Sequence, residues 1–285
     1  MKRFERNEQF FGASGQAILR DAAVAVVGLG GLGSHVAQQL ALLGVGQMLL
    51  IDSDNIEESN LNRIAGAGPN DVGRLKVDVG ARLAQEIGDC RVHTAAEPVA
   101  SPRCLRRLAG VDVVFGCVDN DGARLAMNEI CAAYAKPYLD LATDIHPDGA
   151  WRFGGRIFIN WDGGACLACT GLLDLQEVRE AMEGPQQRMD RQAIYGIGRD
   201  ALSGGGPSVV SINGVVASLA VTEFLVGLVG LRAPRRHLVY HGHLGKVTEA
   251  QVEPESDCYY CVGVRSDPSR SLLAATLVVP ERKAV

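Results

Sequence analysis

The spacing of apolar positions changes period along this chain. Residues 24–27, 48–51, 91–95, 111–117 and 137–141 are short runs rich in β-branched and other apolar side chains, the pattern of strands. Between them, 33–43, 73–87, 102–108 and 121–134 carry the spacing of helices. Gly44 and Gly46 stop the first of these helices, and Asp71 stands near the start of the second. Regular alternation over the first 142 residues predicts a mostly parallel sheet with helices on both faces.

The second half loses that rhythm. Residues 155–160 predict a strand, and 237–241 and 246–252 predict an antiparallel pair. Residues 185–207 are polar and end in Gly204-Gly205-Gly206, which marks the mobile part of a crossover loop spanning about 170–207. Residues 209–231 are apolar enough to suggest a membrane span. Ser211, Asn213, Ser218, Thr222, Glu223 and three glycines interrupt them, so a helix buried against the sheet is expected and no membrane contact. The apolar patch 272–280 has no assigned role. The predicted organisation is an amino-terminal arm (1–20), one α/β domain (21–265) and a carboxyl-terminal tail (266–285).

Composition narrows the class. The 285 residues are 47% hydrophobic and 21% charged, the balance of a globular protein. A formal net charge of −5 argues against nonspecific nucleic-acid binding, so any phosphate site must be a local cluster of cations. The first six residues are polar and mixed in charge, unlike a secretory signal. Eight cysteines in such a chain suit metal-binding or buried thiols in a reducing cytoplasm.

The sharpest chemistry begins at Gly28, Gly30, Gly31 and Gly33, between the first strand and the first helix. Glycines there permit a tight turn and close backbone approach, while the helix amino terminus offers N–H groups to an anion. Asp52 closes the second strand 19 residues after Gly33, where an acidic side chain accepts ribose hydroxyls. Together these predict a Rossmann-like nucleotide-binding fold. Asp54, Asn60, Arg63 and Lys76 follow, and Asp119-Asn120 close the fourth strand, with Arg124 and Asn128 on the next helix. Each has an ordinary alternative: a surface charge for Arg63 or Lys76, a helix cap for Asp119, a turn residue for Asn60. A nicotinamide enzyme needs no such concentration of charge, whereas attack on a triphosphate needs cations for the departing pyrophosphate and a carboxylate for magnesium.

These stretches, in this order over roughly residues 3–262, resemble the ThiF/MoeB/HesA superfamily. Its members include adenylyltransferases of thiamine and molybdopterin biosynthesis, related to ubiquitin-activating enzymes. The resemblance implies that Asp52 binds ribose, that Asn60, Arg63 and Lys76 contact ATP phosphates, and that Asp119 binds Mg2+. It further implies a homodimer in which an arginine of the amino-terminal arm reaches the partner's triphosphate; Arg6, in Arg3-Phe4-Glu5-Arg6, is the candidate. Apolar surface on the first half of the sheet, needing cover, points the same way. The residue after the family's arginine is often polar and here is Ile64. The implied reaction adenylates the carboxyl-terminal glycine of a ubiquitin-like or sulfur-carrier protein ending in Gly-Gly. A ribosomal peptide as substrate, a nicotinamide-dependent oxidoreductase and an inactive binding module are the competing readings; Arg63, Lys76 and Asp119 oppose the last two.

Cys166-x-x-Cys169 and Cys258-x-x-Cys261 are two pairs that together make a closed four-cysteine set for a structural Zn2+, in keeping with the family's usual zinc; two redox motifs or two buried thiol pairs are the alternatives. Cys117 and Cys131 fall in apolar elements and are expected to be buried. No cysteine occurs between Thr170 and Pro207, so the crossover loop offers no thiol for a thioester. His241 and His243 alternate in a predicted strand, as satisfied or exposed side chains rather than a ligand pair.

Overall fold

The computed structural model describes residues 2–146, 152–182, 206–275 and 277. Its elements are α1 (Glu5–Asp21), β1 (Ala23–Val27), α2 (Gly31–Leu43), β2 (Gln47–Ile51), α3 (Lys76–Ile87), β3 (Arg91–Ala95), α4 (Pro102–Ala109) and β4 (Val113–Gly116). Then follow α5 (Asp121–Ala133), β5 (Tyr138–His146), β6 (Arg152–Asn160), α6 (Leu175–Met182), α7 (Val210–Leu228), β7 (His237–His241) and β8 (Lys246–Glu249). The strands form one sheet in the order β3-β2-β1-β4-β5-β6-β7-β8. The first five are parallel; β6, β7 and β8 each add antiparallel.

Two cores flank this sheet because successive strand side chains point to opposite faces. Val24, Val26, Leu50 and Phe115 pack under α2, α3 and α7 through Val36, Leu40, Val77 and Phe224. Ala25, Val27, Leu49 and Val114 pack over α4 and α5 through Leu105, Leu108, Met127 and Ile130. The chain's own helices therefore cover both faces, which removes the uncovered sheet expected to need a second copy.

Other differences from the sequence pattern have local causes. The expected arm is largely helix: α1 bends at Gly12 (φ +79°) and is pinned where the Gln16 amide donates to Leu43 O at 2.9 Å. The helix expected over 73–87 starts only at Lys76. Gly73 lies at φ +86°, and Asp71 is spent on the preceding turn, accepting from Gly68 N and from Arg82. α7 is half-buried rather than fully covered: Val216, Ala220 and Phe224 face the sheet, while Val210, Val215 and Ser218 face outward. The tail does not stand apart, since Ala274 and Leu277 join the core beside α5. Residues 183–205 of the expected loop, and 276 and 278–285 of the tail, lie outside the described residues.

Candidate active site

A cleft of about 950 Å3 opens at the carboxyl-terminal ends of the parallel strands. Sheet order reverses there between β1 and β4, the place where open α/β sheets bind ligands. The glycine turn forms its floor. Gly28 has φ +86°, a region closed to most side chains, and a Cβ on it would press on the Cys117 carbonyl. A Cβ on Gly33 would strike the Gly28 carbonyl, so this glycine lets α2 approach β1. Gly30 has open space around it. α2 begins at Gly31 with no side-chain cap, leaving its first N–H groups for an anion.

Asp52 hangs over that turn. One carboxylate oxygen accepts from Leu29 N at 2.6 Å and the other from Asp54 N at 2.8 Å. Burial raises its pKa, and the charge of Lys76 and these two amides pull it back. Lys76 pairs with the exposed Asp54 at 2.7 Å, which leaves two of its three ammonium N–H donors for a phosphate. Arg63 also lines the cleft, its guanidinium donating to Ser59 O and to Asn62 Oδ1. Asn60 is buried beneath this turn, accepting from Glu57 N at 3.3 Å; it shapes the segment that carries Arg63 rather than lining the cleft. Ile64 fills a small core with Ile56 and Val79, which accounts for an apolar residue there.

Asp119 is exposed at the cleft mouth and accepts no hydrogen bond among the described residues. Its backbone is held from below. Arg124, buried in α5, donates through Nε and Nη2 to Val118 O at 3.2 and 2.6 Å. Arg124 and Arg156 together flank the fully buried Asp140, at 3.6 and 2.6 Å. Asn120 caps α5 by accepting from Ala123 N at 2.9 Å. Arg6 is exposed on α1 and does not line the cleft of its own chain.

Sequence reasoning passed over Asn213, seen only as a polar break in an apolar run. It is 1% exposed, lies against Gly31, accepts from Thr143 Oγ1 at 3.1 Å and donates to Ser208 Oγ at 3.0 Å. An amide side chain in the first turn of an apolar helix, just after a loop rich in glycine, was the available signal.

Away from the cleft, the sulfurs of Cys166, Cys169, Cys258 and Cys261 lie within 4.8 Å of one another. The pairs Cys166–Cys169, Cys166–Cys258 and Cys169–Cys261 are 3.8, 3.6 and 3.5 Å apart. Four thiolates about 2.3 Å from one Zn2+ at tetrahedral angles would sit roughly 3.8 Å apart, so this set could hold zinc. Burial pushes the Cys166 thiol up to about 12, which a divalent cation would reverse. Asn128 braces the site by accepting from Leu167 N at 2.9 Å. The histidines have ordinary partners: His241 meets Thr248 Oγ1 at 2.9 Å, and His243 lies past the strand in a short turn.

Comparison with known proteins sets this geometry in a family. Residues 4–260 match the ThiF family. "Adenylyltransferase and sulfurtransferase MOCS3" of Drosophila willistoni is 27% identical over 88% of this chain and 50% of its own length. The chain thus spans about half the length of that relative. "Sulfur carrier protein ThiS adenylyltransferase" of Escherichia coli is 28% identical over 89% of this chain and 91% of its own. A crystal structure of E. coli MccB with ATP superposes with a TM-score of 0.70 over 92% of this chain and 74% of its own, at 23% identity, a likeness of fold.

Proposed function

Because this chain belongs to the ThiF family, we propose that it is an ATP-dependent adenylyltransferase acting on the carboxyl-terminal glycine of a ubiquitin-like or sulfur-carrier protein. The observation that carries this is the convergence of Asp52, Arg63, Lys76 and Asp119 on one cleft with the amino terminus of α2. Relatives named as adenylyltransferases support it.

The substrate carboxylate attacks the α-phosphorus of ATP. An acyl–O–P bond forms, the bond from that phosphorus to the β-phosphate bridging oxygen breaks, and pyrophosphate leaves. A carboxylate is ionised at neutral pH, so no protein base takes a proton. Catalysis is alignment and charge stabilisation. Asp52 orients the ribose, and the N–H groups of α2 with Arg63 and Lys76 take phosphate oxygens. Asp119, exposed beside them and unpaired among the described residues, would hold Mg2+, which neutralises phosphate charge when bound.

The reaction stops at the acyl-adenylate. A thioester needs a reachable thiolate, and the crossover loop contains no cysteine. Cys117 lines the cleft, but burial, reinforced by the charge of Asp140, holds its thiol well above the usual range. On a non-reducing gel, enzyme, ATP, Mg2+ and carrier should give no reductant-sensitive adduct. A band that Cys117→Ser removes would show that a thiol does accept the acyl group.

A homodimer belongs to the same proposal, with Arg6 serving the partner's cleft and the outward apolar side chains of α7 as the contact. An Arg6→Ala chain mixed with an Asp119→Ala chain should regain activity that neither has alone; full activity as a monomer would refute this.

ATP–pyrophosphate exchange tests the whole reading against small proteins ending in Gly-Gly and, as a second arm, short ribosomal peptides. Exchange driven only by a peptide assigns the peptide alternative. Hydride transfer from NADH with no ATP requirement overturns the proposal.

A further inference from the structure

The cleft does not end at the phosphate side. On the sheet face that carries α4 and α5 it closes against Val99, Leu125, Ala126 and Leu273. The first three come from the turn after β3 and from α5. Leu273 comes from the segment after Arg270, beyond the 4–260 span that matches the ThiF family. This segment is fastened rather than merely adjacent. The buried Glu129 carboxylate on α5 accepts from Ser271 Oγ at 2.7 Å and from Leu273 N at 3.0 Å. Ser271 Oγ in turn accepts from Ala274 N at 2.9 Å, and Ala274 is 2% exposed in the core. Tyr259, in the turn between Cys258 and Cys261, accepts from Leu272 N at 3.0 Å and so ties the segment to the cysteine cluster.

Arg63, Lys76 and the start of α2 bring cations and N–H donors to the lining with Asp52, while Val99, Leu125, Ala126 and Leu273 give it an apolar stretch edged by Glu97 and Glu129. A flat, weakly polar group joined through a ribose to a phosphate chain is a nucleobase. We propose that residues 271–275 supply one wall of the base pocket, with Leu273 packing on the base of the bound nucleotide. This rests on the nucleotide reading above and adds a binding residue from a segment that the family match does not reach.

Calorimetry on the full zinc-loaded chain tests it with ATP and with inorganic triphosphate, which has no base. Losing one packed Leu face should weaken ATP about 10-fold in Leu273→Ala, while triphosphate binds as in the wild type. Leu244→Ala, an exposed residue outside the cleft lining, should bind both normally. Photolabelling of the wild-type chain with 8-azido-ATP gives a measurement that needs no variant: the adduct should map to peptides holding residues 271–275 and 97–100. Wild-type ATP affinity in a folded Leu273→Ala chain, or labelling that spares 271–275, overturns the proposal and leaves the nucleotide reading standing. A wild-type chain that binds no ATP overturns both.

Discussion

Asp119 and Arg124 divide one task. Asp119 presents a carboxylate to the cleft, and Arg124 fixes the carbonyl of the residue before it. Asp119→Ala should leave the melting temperature unchanged and lower ATP–pyrophosphate exchange by about 10²-fold or more, the scale of a lost electrostatic stabiliser. Arg124→Gln should act differently, because it also strips a cation from the buried Asp140. Breaking such a pair costs about 3 kcal/mol, so this variant should unfold at lower denaturant as well as lose activity. If Asp119→Ala instead melts early, its carboxylate is structural and the magnesium assignment falls. Asn213 makes a third case. Asn213→Ala leaves Thr143 and Ser208 without their shared partner and should slow exchange more than it lowers stability, as read by kcat against melting temperature.

At the scale of elements, the turn before α3 carries a pH signature. The two hydrogen bonds from Arg82 and the one from Gly68 N hold the Asp71 carboxyl far below the usual carboxylate range. A depressed folded pKa adds stability that is complete above the unfolded value near 3.9 and is lost as pH falls below it. Asp71→Asn should therefore cost about 2 kcal/mol at pH 7, with the gap to the wild type closing below about pH 4. A gap independent of pH would show that the charge contributes nothing. The same turn shows why boundaries were harder to read than elements. Strands β1, β2 and β4 and helices α2 and α5 announce themselves by apolar runs and glycine stops, because both faces of the sheet are buried. α3 starts late because Asp71 was spent elsewhere. β5 runs to His146 because it gains β6 as an antiparallel partner, a contact that local periodicity does not encode. α1 mixes charge with scattered apolar residues and owes its place to packing on the end of α2. In the site, Asp52, Lys76 and Asp119 were legible as charges next to a glycine turn. Asn213 and Leu273 were not, since each reaches the cleft only through long-range packing.

Across the whole molecule, the cysteine cluster joins parts that the sheet alone does not hold. Cys166 and Cys169 follow β6, Cys258 and Cys261 lie 92 residues later, and Asn128 and Tyr259 connect both to α5. α5 also carries Arg124 and Glu129, so the metal site and the nucleotide cleft share one helix. A zinc ion there would stabilise the fold by ordering ligands that the unfolded chain cannot gather. The purified chain should hold one zinc by elemental analysis, and Cys258→Ser should lose it along with several degrees of melting temperature. Slow chelation should reproduce the second effect in the wild type, and added zinc should reverse it. The cluster lies apart from the phosphate end of the cleft, so chelation should weaken exchange only as far as α5 and the segment after Arg270 loosen. Affinity for inorganic triphosphate should outlast affinity for ATP as zinc is withdrawn. Loss of both together at the first equivalent of chelator would make the metal part of the catalytic apparatus, and a metal-free chain of unchanged stability would remove it from the account of the fold.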